Sequence, residues 1–144
     1  MKILIVSDSH GHTEEIMSLV KQYPDMDLYL HAGDSQEMEV SLFPYQTVKG
    51  NCDYDSNMMR RLLIDTPYGK LLMTHAPIVT KEELKEQSIK IYVYGHLHKR
   101  VYEKDGEIFY ISPGSTCYER DRFNDGYCIL TVTSKSVKAR FFDL

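Results

Sequence analysis

Side chains of the kinds that bind metal ions recur in short clusters between residues 8 and 98. Each cluster follows an apolar run of the sequence. The clusters bring together carboxylate, imidazole and amide groups, and no cysteine pair of CxxC spacing accompanies them. The clusters are Asp8-Ser9-His10, Gly33-Asp34, Gly50-Asn51-Cys52-Asp53, His75 and Gly95-His96-Leu97-His98.

This set of oxygen and nitrogen donors indicates a metal centre. The donors suit Mn, Fe, Zn, Co or Ni better than Ca or Mg. They are too many for one tetrahedral ion, so we expect two divalent cations, with Mn²⁺ first and Zn²⁺, Fe²⁺, Ni²⁺ or Co²⁺ as alternatives. Two such ions leave about +2 after the charges of Asp8 and Asp34 are subtracted. Ions roughly 3.5–4 Å apart would attract a phosphoryl group and lower the pKa of a shared water.

Five apolar or aromatic-rich runs read as the strands that position these clusters. In open α/β sheets the ligand crevice lies at the carboxyl ends of the strands, so clusters far apart in the sequence can meet there. Residues i and i+2 at a strand end project to one side, which pairs Asp8 with His10 and His96 with His98. The runs are KILIV (2–6), LYLHAG (28–33), YQTVKG (45–50), KLLMTH (70–75) and KIYVYG (90–95).

Helical patterns separate several of the strands. Apolar residues at i, i+3, i+4 and i+7 predict a helix from Thr13 that ends before Pro24. Thr80 opens a second short helix with capping-box spacing. A third helix is expected from Ser35 to about residue 43. After residue 100 the sequence predicts two hairpins, the first turning at Asp105-Gly106, so we expect two packed sheets with helices outside.

Composition favours one ordinary globular domain over residues 1–144. The chain is 42% hydrophobic and 26% charged, with a formal net charge of −4. This charge implies no nucleic-acid partner, and no apolar run is long enough for a membrane span. The three cysteines are odd in number, and the apolar start reads as a strand, which together predict a cytoplasmic protein with reduced thiols. The Phe141-Phe142 pair would offer an apolar strand edge for a homo-oligomer.

The motifs resemble those of the calcineurin-like metallophosphoesterases, and in particular the small bacterial and archaeal phosphodiesterases related in fold to the retromer scaffold subunit. The matching stretches, in family order, are SDSHG, HAGD, GNCD, THAP and YGHLHK. The resemblance implies an α/β fold, a four-layer α/β/β/α sandwich of two mixed β-sheets flanked by helices, with the metal site at the carboxyl ends of the strands. It implies one metal on Asp8, His10, Asp34 and His98, and another on Asp34, Asn51, His75 and His96.

The same resemblance implies a metal-dependent phosphoesterase, most plausibly a phosphodiesterase, acting on a small or accessible phosphoester. Hydroxide bridging two metals would attack in line, with Asp34, Asn51 and His75 in the catalytic set. Many larger relatives carry His where this chain has Cys52, which makes Cys52 a candidate acid or a packing residue. THAP stands where small relatives often read THGH. The alternative is a non-enzymatic metal-binding scaffold on the same fold.

Three residues near the motifs have less certain roles in the sequence. Asp53 would orient a water or Asn51, or cap the following turn. His31 lies inside a strand and is expected to be buried and to support the site. His12 is expected to open the first helix.

Overall fold

The computed structural model describes residues 1–118 and 124–144. In these ranges the chain forms ten strands, two α-helices and one 3₁₀ helix. The elements are β1 (Lys2–Val6), α1 (Thr13–Gln22), β2 (Leu28–His31), the 3₁₀ helix (Glu39–Leu42), β3 (Tyr45–Thr47), β4 (Arg61–Thr66), β5 (Gly69–Thr74), α2 (Lys81–Glu86), β6 (Ile89–Val93), β7 (Arg100–Asp105), β8 (Ile108–Pro113), β9 (Gly126–Val132) and β10 (Val137–Asp143).

Two five-stranded sheets form the middle of the molecule. The first has the order β10-β9-β1-β2-β3, and the second has the order β4-β5-β6-β8-β7. In the first sheet β1, β2 and β3 are parallel, and in the second β5, β6 and β8 are parallel. The outer strands β4, β7, β9 and β10 pair antiparallel. Both sheets are therefore mixed, as the family resemblance implies.

Alternation along the strands divides the apolar residues between three layers of packing. Ile3 and Ile5 of β1 belong to the core between the two sheets, together with Met73 of β5. Leu4 of β1 faces the other way and packs with Ile16 of α1. On the outer face of the second sheet, strand residues pack in the same way beneath α2. These contacts confirm the four-layer sandwich.

Two of the three predicted helices form as α-helices, and α2 shows why its sequence is helical despite its six residues. The Thr80 side chain accepts a hydrogen bond from the Glu83 N–H at 3.2 Å, and the Glu83 carboxylate accepts one from the Thr80 N–H at 3.0 Å. This reciprocal cap satisfies two donors at the start of the helix. Leu84 is fully buried and anchors the helix to the sheet.

One expectation about secondary structure is wrong, and one strand was missed. The segment from Ser35 to residue 43 forms only the 3₁₀ turn Glu39–Leu42, because side chains from a later loop hold its backbone N–H groups. The missed strand, β4, lies at a sheet edge. Its apolar run is only three residues long and alternates between half-buried and exposed positions.

The predicted turn at Asp105-Gly106 joins β7 to β8. Phe141 and Phe142, expected on an exposed edge, are half-buried, and Phe142 stacks on Tyr127. Self-association through this pair stays a prediction. No helix among the described residues is both long and apolar enough to cross a bilayer.

Candidate metal centre

The loops that follow β1, β2, β3, β5 and β6 meet at one edge of the sandwich and bring the predicted ligands together. Backbone hydrogen bonds fasten one loop to the next. The N–H of Asp8 donates to the Gly33 carbonyl at 2.9 Å, and the N–H of Gly95 donates to the His75 carbonyl at 2.8 Å. Three clusters of candidate ligand atoms result, each with all atoms within 4.8 Å of one another. They are Asp8-His10-His98, His10-Asp34-Cys52 and Asp34-His75-His96.

The first cluster places two lone pairs face to face. His98 Nδ1 donates to the carbonyl oxygen of Tyr118 at 2.7 Å, so the neutral ring carries its lone pair on Nε2. That nitrogen lies 3.1 Å from Asp8 Oδ1, a buried oxygen that accepts no hydrogen bond from the described residues. Two acceptors at this distance repel each other unless a positive charge lies between them. Either a second proton on the ring or a metal ion meets that need.

The third cluster, Asp34-His75-His96, goes further, because several acceptors converge on one point. His75 Nδ1 donates to the Ala32 carbonyl at 2.8 Å, which leaves the lone pair on Nε2. Asn51 Oδ1 lies 2.9 Å from this nitrogen, and Asp34 Oδ2 lies 3.2 Å from it. His96 Nδ1 lies 3.0 Å from the same Asn51 oxygen. One proton satisfies one of these contacts, whereas a metal ion accepts lone pairs from all of them, so the donor set fits a cation.

Asp34 belongs to two of the three clusters. It lies with His10 and Cys52 in one and with His75 and His96 in the other. Burial, the largest influence, raises the pKa of its carboxyl, but the neighbouring His75 ring and the hydrogen bond from the Cys52 N–H outweigh this effect and lower the pKa to about 2. The carboxylate is therefore ionised at neutral pH. This position is the one expected for a ligand shared by two ions.

Both aspartates are oriented in the same way. In each, one oxygen is held by a backbone donor and the other faces an imidazole. Asp8 Oδ2 accepts from the His96 N–H at 3.0 Å and from the Ser7 hydroxyl. Asp34 Oδ1 accepts from the Cys52 N–H at 2.7 Å. Burial, the largest influence on Asp8, raises the pKa of its carboxyl, and a neighbouring cation acts in the opposite direction.

Backbone strain is concentrated in the same loops. Eight non-glycine residues in the described ranges have φ in the left-handed region, and five of them are predicted ligands. Such residues are uncommon and cost about 1–3 kcal/mol each, and they cluster where function requires a particular side-chain direction. The five ligands, with φ between 43° and 66°, are Asp8, His10, Asp34, His96 and His98.

Glycines in these motifs leave room for the side chains of neighbouring ligands. A Cβ placed on Gly33 would lie 2.7 Å from His75 Nδ1. On Gly50 it would overlap the Asp34 carboxylate, and on Gly95 it would overlap the Ser7 hydroxyl. Gly33, Gly50 and Gly95 are therefore each required by side chains from a different loop, whereas a Cβ on Gly11 would meet no atom within 4 Å.

Asp53 and His31 support the site from behind. The buried Asp53 carboxylate accepts hydrogen bonds from the N–H groups of Asp34, Gln36 and Gly50, and from the hydroxyl of Ser35. Thus it joins the loop after β2 to the loop after β3 and does not face the metal ligands.

His31 is fully buried, as predicted, and links two loops. Its Nδ1 accepts from the Gly33 N–H at 3.1 Å, so Nε2 donates to Ser9 Oγ at 2.8 Å. Burial lowers the pKa of the ring to about 4, which keeps it neutral.

Known proteins are similar to this chain in sequence and in fold. A family model described as the calcineurin-like phosphoesterase superfamily domain matches residues 1–135. The chain belongs to this superfamily. It is 34% identical over 158 residues to the probable metallophosphoesterase YsnB of Bacillus subtilis strain 168, with 99% of this chain and 91% of that protein covered.

Solved structures of the superfamily superpose on most of the chain. A predicted phosphoesterase from Streptococcus pneumoniae TIGR4 gives a TM-score of 0.90 at 25% identity, with 99% of this chain and 88% of that chain covered. Vps29 of Entamoeba histolytica, solved with Zn²⁺, gives 0.74 at 18% identity and covers 99% of both chains. The second likeness concerns the fold alone.

Most of the candidate ligands line a cleft of about 380 Å³. Cys52 lines this cleft and is exposed, so the interpretation as a packing residue is wrong. Burial and the nearby Asp34 carboxylate raise the pKa of the Cys52 thiol. Asn51 Nδ2 donates to its sulfur at 3.4 Å.

Two residues of the cleft were missed in the sequence. Gln36 Oε1 lies 3.2 Å from His10 Nδ1, and Tyr118 supplies the carbonyl that orients His98. Gln36 lies two residues after the GD pair, which is the signal that would have found it. The sequence holds no signal for Tyr118, because its contribution comes from the backbone. His12 directly precedes α1, as predicted, although its side chain makes no capping hydrogen bond.

Proposed function

We propose that this protein is a metal-dependent phosphoesterase that hydrolyses a small phosphodiester with the aid of two divalent cations. The observation that carries the proposal is the convergence of the lone pairs of Asp34, Asn51 and His75 beside the matching pair of Asp8 and His98. Membership of the phosphoesterase superfamily supports the same reaction class.

In this proposal the ligands divide into two sets that share Asp34. Asp8, His10, Asp34 and His98 would hold one ion, and Asp34, Asn51, His75 and His96 would hold the other. When bound, such ions clamp the phosphoryl oxygens, stabilise the leaving oxygen and make water a better nucleophile at neutral pH. We expect Mn²⁺ first, with Zn²⁺, Fe²⁺, Ni²⁺ or Co²⁺ as alternatives, because imidazole and carboxylate oxygen suit all of them.

The chain's own residues provide the geometry. Hydrogen bonds to Ala32 and Tyr118 fix the tautomers of His75 and His98, so that Nε2 of each ring faces the centre. In this proposal the Cys52 thiol, which lines the cleft, would carry a proton and donate it to the leaving group.

The shape of the site favours a diester. A second cleft, of about 370 Å³, shares Asn51 and His96 with the first. A phosphate held at these shared residues has open space on two sides. A diester has two organic arms to place there, whereas a monoester has one.

Hydrolysis of bis-p-nitrophenyl phosphate with added Mn²⁺ tests the proposal. We expect turnover that EDTA removes, and its loss in both Asp34→Ala and His98→Ala. Asp25→Ala is the matched control, because Asp25 is exposed and outside the site. Far-UV circular dichroism checks that every variant folds. Turnover that survives EDTA or either ligand substitution would refute the assignment.

A metal-binding interaction module is the second candidate function. Apolar side chains are exposed beside β3 and β4, with Val40 at 82% and Phe43 at 80% exposure. Such a patch is typical of protein contacts. A protein that binds Mn²⁺ but turns over no phosphoester in a broad panel would favour this candidate.

We further propose that residues 1–144 form one domain and act in the cytoplasm. The core between the sheets joins residues from Ile3 to Val137, which supports a single folding unit. Cys52, Cys117 and Cys128 are free thiols, which supports a reducing compartment.

A further inference from the structure

Three cations lie beside the metal centre, in a protein whose net charge is −4. Lys49, Arg60 and Arg61 line the second cleft, which also contains Asn51 and His96. We call this second cleft, with its three cations, the basic cleft. Arg60 and Arg61 are exposed and Lys49 is half-buried.

The fold holds the basic cleft in fixed register with the ligands. Lys49 lies two residues before Asn51, and its N–H donates to the Met59 carbonyl at 2.8 Å, so this loop is fastened to the chain that leads into Arg60. Arg61 pairs with Thr74 in the ladder of β4 and β5. Thr74 directly precedes the ligand His75. Both connections run through backbone, so the cations keep their place beside the centre.

No ion pair involves Lys49, Arg60 or Arg61 in the part of the chain that the structure describes. Asp55 and Glu83 interact electrostatically with Lys49 and Arg61, respectively, but neither acid forms an ion pair with them. The carboxylate of Asp55 accepts the N–H groups of Glu39 and Asn57, and that of Glu83 accepts the Thr80 N–H. Three gathered cations repel one another, and a bound anion relieves this repulsion.

The lining of the basic cleft is also partly apolar. Ile78 lines the same cleft and is 74% exposed. A cleft that combines guanidinium groups with an exposed aliphatic side chain suits an organic molecule that carries a phosphate, because Arg binds phosphate oxygens in bidentate fashion.

We propose that the basic cleft binds a second phosphate group of the substrate, so that the substrate class is small phosphodiesters with a further phosphate on one arm. This inference rests on the proposed function, which places the scissile phosphate at Asn51 and His96. The second phosphate then lies in the basic cleft, on the other side of Asn51 and His96 from the first cleft. The bound phosphate selects the substrate and takes no part in bond cleavage.

Binding to the Mn²⁺-loaded protein tests the inference without turnover. Isothermal titration compares thymidine 3′,5′-bisphosphate with thymidine 5′-monophosphate, which differ by one phosphate. We expect the bisphosphate to bind at least tenfold more tightly, and the Arg60→Gln/Arg61→Gln double variant to lose this preference. Lys135→Gln/Lys138→Gln, which removes two exposed cations in β10 and the turn before it, is the matched charge control and should keep it.

Hydrolysis of the dinucleotides TpT and pTpT by the wild-type protein separates the two claims. We expect kcat/KM to be at least tenfold higher for pTpT, and the double variant to reduce this ratio toward one. Equal binding of the two thymidine nucleotides, binding of neither, or a preference retained by the double variant would overturn the inference. A bisphosphate preference without hydrolysis of any phosphodiester would instead reject the proposed function and leave the anion site standing.

Discussion

Asp53→Asn tests how the two central loops are held. Asp53 Oδ1 accepts from the Ser35 hydroxyl at 3.1 Å and the Gln36 N–H at 2.7 Å. Oδ2 accepts from the N–H groups of Asp34 at 2.8 Å and Gly50 at 2.7 Å. Asparagine has the same shape, but its NH₂ group faces two of these donors. Two of the four hydrogen bonds are therefore lost.

The magnitude follows from the charge and burial of the acceptor. A hydrogen bond to a charged group contributes about 1.5–3 kcal/mol, so two lost bonds lower the free energy of unfolding by about 3–6 kcal/mol. Asp53 is 7% exposed, so water reaches few of the freed donors. A chain of this length typically has roughly 7–20 kcal/mol of stability. The variant should still fold but unfold at lower urea concentration.

Metal affinity should fall as well, because Asp53 sets the backbone positions of Asp34 and Gly50. Removing a group that orients a ligand typically weakens metal binding or activity about 10–100-fold. We expect the Kd for Mn²⁺ to rise by that factor in Asp53→Asn. Isothermal titration measures it, and urea unfolding is followed by circular dichroism because the chain has no Trp.

Asp55→Asn is the matched control for this experiment. Asp55 is also buried and also accepts backbone N–H groups, from Glu39 and Asn57, but it contacts none of the predicted ligands. It should lose stability while its Mn²⁺ affinity stays that of the wild type. If Asp53→Asn binds Mn²⁺ as tightly as the wild type, or if the control weakens binding equally, the positioning role of Asp53 is refuted.

Three further predictions concern single contacts. In Gly95→Ala the new Cβ overlaps the Ser7 hydroxyl and lies 2.7 Å from Asp8 Oδ2, so Mn²⁺ affinity should fall at least tenfold in titration; unchanged affinity would contradict the packing argument. Burial lowers the pKa of His31 from 6.5 to about 4. The contribution of the neutral ring to the free energy of unfolding is therefore fully present above pH 6.5. It decreases by about 3 kcal/mol as the pH falls to 4. Lowering the pH from 7 to 4.5 should therefore decrease the urea midpoint of the wild type more than that of His31→Gln. Equal decreases in the two proteins would contradict this assignment to His31. Mn²⁺ at a hundred times its Kd should raise the free energy of unfolding by about 2.7 kcal/mol, and an equal rise in Asp8→Asn would show that the ion binds elsewhere.

The sequence located the candidate ligands, which the structure brings together, because they occur at strand ends. A strand followed by Asp, His or Gly-Asn is visible in the residue order, and parallel strands bring their carboxyl ends to one edge. Asp34, His75 and His98 were found in this way. The capping box at Thr80 was equally visible, since it depends on residues three apart.

The features that the sequence did not reveal depend on contacts between distant residues. The loop after β2 is not helical, because Asp53 and Asp55 bind its backbone N–H groups from a later loop. The orientation of His98 depends on a carbonyl at Tyr118. Strand β4 was missed, although Pro67 and Gly69 between two apolar runs mark a turn that would have indicated it.

Anomalous diffraction from crystals grown with Mn²⁺ tests the dinuclear centre most directly. We predict two manganese peaks per chain, one beside Asp8 and His98 and one beside His75 and His96, with Asp34 contacting both. A single peak, or none at these side chains, would contradict the account.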